Sequence, residues 1–313
     1  MSSAEDLALL DSAVSRLKST GQIEYRGEFG AEITTFIPFV HWLKNEGLLS
    51  GRRVLTHAGM RPYYYFLDDA EYAEKAGNRA WLPIAQRDWP SNSSYTATRE
   101  PWHHMPDYRA RYRDEGMTFE RPVLFIQNKF CVEWNTGPIN YIPLNSLDAL
   151  FRLAGGPFDI VYSRPRAMPK AAGYAEDDNV DCDYPDFRLA SEFPRVMLLE
   201  RYCAESGAPY NLTKLRILAK SHLFVTVQGG GAHLLACFGN ALMLLLHREG
   251  PEFPHAYQAG PYKYLSHPAP ILMLARNSVE FNRGASLIAN TRLTGTELRI
   301  GDKWIETLNE LRI

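Results

Sequence analysis

The chain has no G-x-x-x-x-G-K-[ST] run, which excludes a phosphate-loop ATPase, and no G-x-S-x-G elbow of the hydrolase kind. The dinucleotide fingerprint G-x-G-x-x-G fails too. Counted from Gly229, its third glycine position is Leu234, which disfavours a nicotinamide oxidoreductase. Cysteine is sparse: Cys131, Cys182, Cys203 and Cys237 lie far apart, with neither metal spacing nor a disulfide framework. A reducing, cytoplasmic setting is the expectation. Charge of one sign is missing as well. A formal net charge of -2 leaves no broad basic field for nucleic acid or an anionic membrane. Long apolar runs are absent, and the longest, residues 240–247, is far too short to span a bilayer. The N-terminal stretch, with Ser3 as expected cap and Leu7, Leu10, Val14 and Leu17 on one face, is an amphipathic helix and no signal peptide. Trp102, His103 and His104 lack the further ligands that zinc requires.

What is present centres on residues 223–247. Residues 223–227 form a short run rich in β-formers, as in a parallel strand covered on both faces. Gly229, Gly230 and Gly231 let the backbone turn sharply and approach a ligand, because no Cβ intervenes. Residues 232–238 have helical character, and the N–H groups of a helix start favour an anion such as phosphate. Gln228, the three glycines, Ala232 and His233 are therefore candidate phosphate-binding residues. Gly239 and Asn240 end the helix, residues 241–246 form the next strand, and Glu249 beyond it suits ribose hydroxyls. A tight turn that binds nothing is the competing reading.

Strand and helix signals alternate along most of the chain, which predicts an α/β fold with parallel sheets. Strands are expected at 22–25, 53–57, 122–127, 158–162, 196–199, 223–227, 241–246 and 271–274. Helices are expected at 31–45, kinked at Pro38, and at 145–153, 212–220, 278–288 and 302–311. Residues 77–121 lack periodicity and read as recognition loops. The length admits two Rossmann-like domains, residues 1–140 and 141–313, with a cleft between them and a boundary where residues 134–138 break the pattern.

Three further clusters carry chemistry. Arg164 and Arg166 follow the strand at 158–162, where open α/β sheets bind ligands, and guanidinium forks suit a departing diphosphate. Solvated surface arginines are the bland alternative. Lys129 lies at another strand end with Glu133 and Trp134 beyond it, a set that grips a sugar or phosphate or merely packs. In the first half, the Gly27–Gly30 turn carries Glu28, the candidate general base, with Glu32 as its competitor one helical turn deeper. Glu28 also suits the helix dipole alone. Asp181 and Asp183 have the D-x-D form of metal sites but sit in a polar loop, so no metal is expected.

Gln228 to Gly231, the helix-ending Gly239 and the Leu-rich strand after it resemble the donor site of GT-B glycosyltransferases over about residues 155–290. The proline that often follows that last glycine is Asn240 here. The Gly27–Gly30 turn is similar to the first turn of the acceptor domain in those enzymes, including the fucosyltransferase branch, although the His-x-Arg-Arg motif of that branch is absent. The resemblance implies transfer of a sugar from a nucleotide-sugar donor to a glycan or other hydroxyl acceptor, with no resident cofactor. Alternatives are a pyruvyl or phosphoryl transferase of the same shape acting on polysaccharide, and a nucleotide- or glycan-binding module without turnover.

Overall fold

The alternating apolar runs fold into two parallel sheets. The computed structural model describes residues 4–77, 79, 87–90, 100–134, 136–165, 181–250, 257, 261–294 and 297–312. Ser3 and Arg166 lie outside them. The first sheet contains β1 (Gln22–Glu24), β2 (Arg53–His57) and β3 (Tyr72–Lys75), in that order and all parallel. Helix α1 (Ala4–Thr20) leads into it. Between β1 and β2 runs a helical stretch made of α2 (Phe29–Ala31), a wide turn (Glu32–Phe36) and α3 (Ile37–Asn45). The expected kink at Pro38 is that wide turn, which ends at Phe36, two residues before the proline. Proline has no N–H to offer Thr34, four residues back. His103 takes over, its Nε2 lying 2.8 Å from the Thr34 carbonyl. The His103 imidazole thus serves the backbone of this helical stretch.

The second sheet has six parallel strands: β4 (Val123–Gln127), β5 (Asp159–Ser163), β6 (Val196–Leu198), β7 (Ser221–Val227), β8 (Leu242–Leu246) and β9 (Ile271–Ala275). Their spatial order is β6-β5-β4-β7-β8-β9, the doubly wound arrangement of dinucleotide-binding folds. Helix α4 (Tyr108–Tyr112) precedes this sheet, and α5 (Leu144–Ala154), α6 (Asp186–Ser191), α7 (Leu199–Ser206), α8 (Tyr210–Lys220) and α9 (Gly230–Ala236) lie between its strands. Leu124 and Ile126 of β4 face α5 and the helices Ser278–Asn290 and Ile305–Leu311. Val123 and Phe125 face α7, α8 and the first unit. Both faces are buried, and the strand sequences are accordingly apolar with little alternation.

Sheet membership groups β4 with the later strands. β4, assigned to the first half by a break at residues 134–138, is a central strand of the second sheet. The break is the crossover loop from β4 to α5, and the sheets divide before Val123. The two units also share one apolar cluster, in which Phe29, Tyr63 and Tyr108 join Leu215, Leu235 and Phe238. Along that seam the units are packed together.

Arg109, on the helix Tyr108–Tyr112 between the sheets, fastens the seam. Its guanidinium donates to the carbonyls of Ala219 and Ser221 at 2.7 Å each and of Phe238 at 3.2 Å. Burial lowers its pKa to about 10, so it remains charged at neutral pH. Arg109→Met keeps the bulk and strands three carbonyls. Urea unfolding is expected to show a loss of about 3 kcal/mol, from buried acceptors left without a donor. A change below about 0.5 kcal/mol would mean that this clamp does not hold the seam.

Candidate functional site

The strand order reverses between β4 and β7. From β4 the chain winds outward through β5 and β6, and from β7 it winds the other way through β8 and β9. The crossover helices therefore part at the C-terminal ends of these two strands, where open α/β sheets bind ligands. Gln127 and Val227 are the last residues of the two strands. Lys129 follows one and Gln228 to Gly231 follow the other, so the structure brings these sequence-expected residues to one crevice.

Each glycine of the turn is there for a different reason. Gly229 has φ +132° and ψ -176°, a region open essentially to glycine alone. A Cβ on Gly230 would come within 3.0 Å of the Gly30 amide nitrogen and 3.2 Å of Phe29 Cδ1. A Cβ on Gly231 would collide with the Gln127 carboxamide. The sequence reading left that space for a ligand. At Gly230 and Gly231, protein atoms occupy it. The turn opens instead at Gly229, where Lys129 Nζ would lie 3.5 Å from an added Cβ. Ala232 and His233 turn their amides back to the Gly229 carbonyl, at 2.9 and 3.4 Å. His233 is buried, with Nδ1 3.0 Å from the Tyr262 hydroxyl.

Lys129 is held ready rather than loose. Its ammonium donates to Glu133 Oε2 at 2.7 Å and to Gln228 Oε1 at 3.1 Å, which ties the β4 end to the β7 end. Burial pushes the Glu133 carboxyl up, but Lys129 and the bonds from Asn140 outweigh it and hold the group below its usual range. Asn140 is the keystone that sequence reading missed. Its Nδ2 donates to Glu133 Oε2 and to the Glu249 carbonyl, while its Oδ1 accepts from the Arg248 amide at 2.8 Å. One carboxamide thus joins the loops that follow β4 and β8, across the end of β7. Glu249 has an exposed side chain, and its backbone carbonyl is what the network uses.

A polar row lies just below, on the face toward the first unit. Ser163, Gln127 and Thr226 occupy adjacent positions across β5, β4 and β7. Gln127 Oε1 is buried without a hydrogen-bond partner among the described residues. Ser163 donates to Glu200 Oε1 at 2.8 Å, and burial raises the pKa of that carboxyl.

Arg164 is placed differently from the sequence expectation. Its Nε donates to Asp186 Oδ2 and its Nη1 to Asp181 Oδ2, each at 3.0 Å, and the guanidinium lies 5.2 Å over the Phe187 ring. Two carboxylates and an aromatic face already satisfy it, so it pins residues 181–187 to the end of β5. Asp181, the first carboxylate of the D-x-D pattern, is spent in the same pairing. These partners lie 17 and 22 residues downstream, which no local pattern reveals.

In the first unit the Gly27–Gly30 turn meets the Gly229–Gly231 turn directly, through Gly30 and Gly230. Glu28, half-buried at the start of α2, has extended backbone, and its carbonyl accepts the Tyr25 hydroxyl at 2.5 Å. Glu32 is fully buried. Its carboxylate takes the Thr56 hydroxyl, the Tyr64 hydroxyl at 2.7 Å and the Arg79 guanidinium at 2.6 Å. That environment removes it from the reach of an acceptor and makes it an anchor of the first unit. His57 lies beside this cluster, and burial together with the Arg79 charge pushes its imidazole down to about 4.

No family model matches the chain, and no curated protein matches it. Among solved structures, a glycosyl transferase family 9 structure from Veillonella parvula DSM 2008 is similar at 10% identity and a TM-score of 0.46. The match covers 84% of this chain and 87% of that one.

Acid should act on the first unit through His57. The unfolded chain takes up a proton near pH 6.5 that the folded chain accepts only at about 4, so stability falls as pH drops across that window. His57→Gln is expected to flatten the pH dependence of the urea midpoint between pH 6.5 and 4. An unchanged slope would show that this imidazole does not titrate with unfolding.

Proposed function

We propose that the chain is a glycosyltransferase that binds a nucleotide-sugar at the C-terminal ends of β4 and β7 and passes the sugar to a hydroxyl acceptor. The observation that carries the reading is the reversal of strand order with Lys129 on one side and the Gly229 turn on the other. A parallel sheet directs its strand ends and helix starts toward that point, which favours an anion. Lys129 takes the diphosphate charge, exchanging part of its bonding with Glu133 and Gln228 for phosphate oxygens. The amides of Gly230 and Gly231 begin a helix, have no carbonyl to bind within it, and add donors. Gln127 Oε1 accepts a sugar hydroxyl. Charge on the departing nucleotide is stabilised by these fixed donors, and the reaction as proposed uses no divalent metal.

Glu28 is the general base. The contact between the two glycine turns sets α2 against α9, and Glu28 is the residue that opens α2 in that contacting turn. An inverting transfer needs one such group opposite the donor, within hydrogen-bond reach of the incoming hydroxyl. The acceptor approaches from the side of the first unit.

Two substitutions divide binding from chemistry. Lys129→Met is expected to weaken calorimetric binding of nucleotide-sugars by roughly tenfold to a hundredfold, the worth of a charge-assisted bond. Glu28→Gln is expected to leave that binding intact and to lower turnover at least about a hundredfold. Unaltered affinity in the lysine variant would move the donor elsewhere. Unaltered turnover in the glutamine variant would remove Glu28 from the chemistry, and binding with no sugar transfer to any hydroxyl acceptor would favour a non-catalytic module.

A further inference from the structure

Trp134 is the most exposed tryptophan side chain among the described residues whose neighbours are also those of the crevice. Half of it faces solvent, at 50% relative exposure. Its backbone has φ +48°, a left-handed conformation that a bulky residue adopts only at a cost. Folding thus spends free energy to hold an indole where burial gains little.

The indole has a definite seat. A Cβ on Gly250 would come within 2.7 Å of Trp134 Cη2 and 3.2 Å of Cζ2, so the absence of a side chain at Gly250 leaves room for the ring. Gly250 itself has φ +138°. Trp134 belongs to the loop after β4, and Gly250 follows β8. The strand between those two is β7. The indole therefore spans the end of β7, above the strand that delivers Gly229. Asn140 fixes the same two loops to each other through the Glu249 carbonyl, which makes the span rigid. Glu133, one residue earlier, is the partner of Lys129.

We infer that Trp134 is a stacking platform for the nucleobase of the donor, an assignment that rests on the nucleotide-sugar reading above. The diphosphate lies on Lys129 and the glycine turn, and the base lies on the outward face of the indole. Stacking suits a group with one face on Gly250 and the other in water, because any base offers a π-face and displaces that water. A platform of this kind discriminates nucleotides from plain diphosphates far more than it discriminates among bases.

The test is calorimetric titration of the full chain and its variants with a nucleoside diphosphate and with inorganic diphosphate. Trp134→Gly relieves the left-handed backbone and should leave thermal stability unchanged or raised. It should weaken the nucleoside diphosphate about tenfold while leaving inorganic diphosphate unaffected. Trp134→Phe should restore most of the lost affinity. Equal nucleotide binding by the wild-type chain and Trp134→Gly would overturn the platform and leave the nucleotide reading standing. An equal loss of both ligands would also overturn it, since the indole would then act by shaping the Lys129 loop. A stability loss in Trp134→Gly with normal binding would make the indole a packing residue. Failure of the wild-type chain to bind any nucleoside diphosphate would sink the nucleotide reading and this inference together.

Discussion

Two backbones meet without side chains at Gly30 and Gly230, and the placement of the candidate site depends on that approach. A Cβ on either glycine would lie 3.2 Å or less from the other's backbone or from His233 or Phe29. Any larger residue would push α2 away from α9 and open the seam between the sheets. With both glycines present, the turn after β1 lies against the turn after β7. Glu28 belongs to the same Gly27–Gly30 turn, so packed helices rather than a free loop fix its backbone. Site geometry is set by packed helices and strands, which position groups more tightly than free loops do.

The crevice is pre-formed on the other side by hydrogen bonds rather than by packing. Lys129, Glu133, Asn140 and the loop after β8 form one connected set, and each buried polar group in it answers another. A lysine alone at a strand end would wander. Here Glu133 and Gln228 hold its ammonium over the turn, so a cationic donor is already in place there. Such preorganisation lowers the ordering cost of binding. The same bonds keep Trp134 and Gly250 together across the end of β7.

Much of this was legible in the sequence. Apolar runs at residues 123–127, 223–227, 242–246 and 271–275 mark strands buried on both faces, and the glycine turn marks the strand-to-helix junction. β3 escaped notice because Tyr72, Ala73, Glu74 and Lys75 are polar or small at a sheet edge, where apolar patterning fades. The pattern break at residues 134–138 falls in the crossover loop after β4, and such a loop has the same composition as an interdomain linker. The roles of the glycines divide in the same way. The need for glycine at Gly229 follows from the turn, whereas Gly230 and Gly231 owe theirs to Gly30 and Gln127, which only the fold brings near. Arg164 and Glu32 show the limit most clearly. Strand position singled out the arginine, and one helical turn singled out the glutamate. Their partners Asp181, Asp186, Thr56, Tyr64 and Arg79 come from other segments, and burial among them turned both into anchors.

The claim on which the rest stands is that an anionic ligand occupies the ends of β4 and β7. Amide resonances of the isotopically labelled protein, followed during titration with a nucleoside diphosphate, read that position directly. The account predicts the largest, saturable shifts at Lys129 and at Gln228 to Gly231, with smaller ones along Glu133 to Asn140. Shifts confined to the first sheet, or none at saturating ligand, would contradict it.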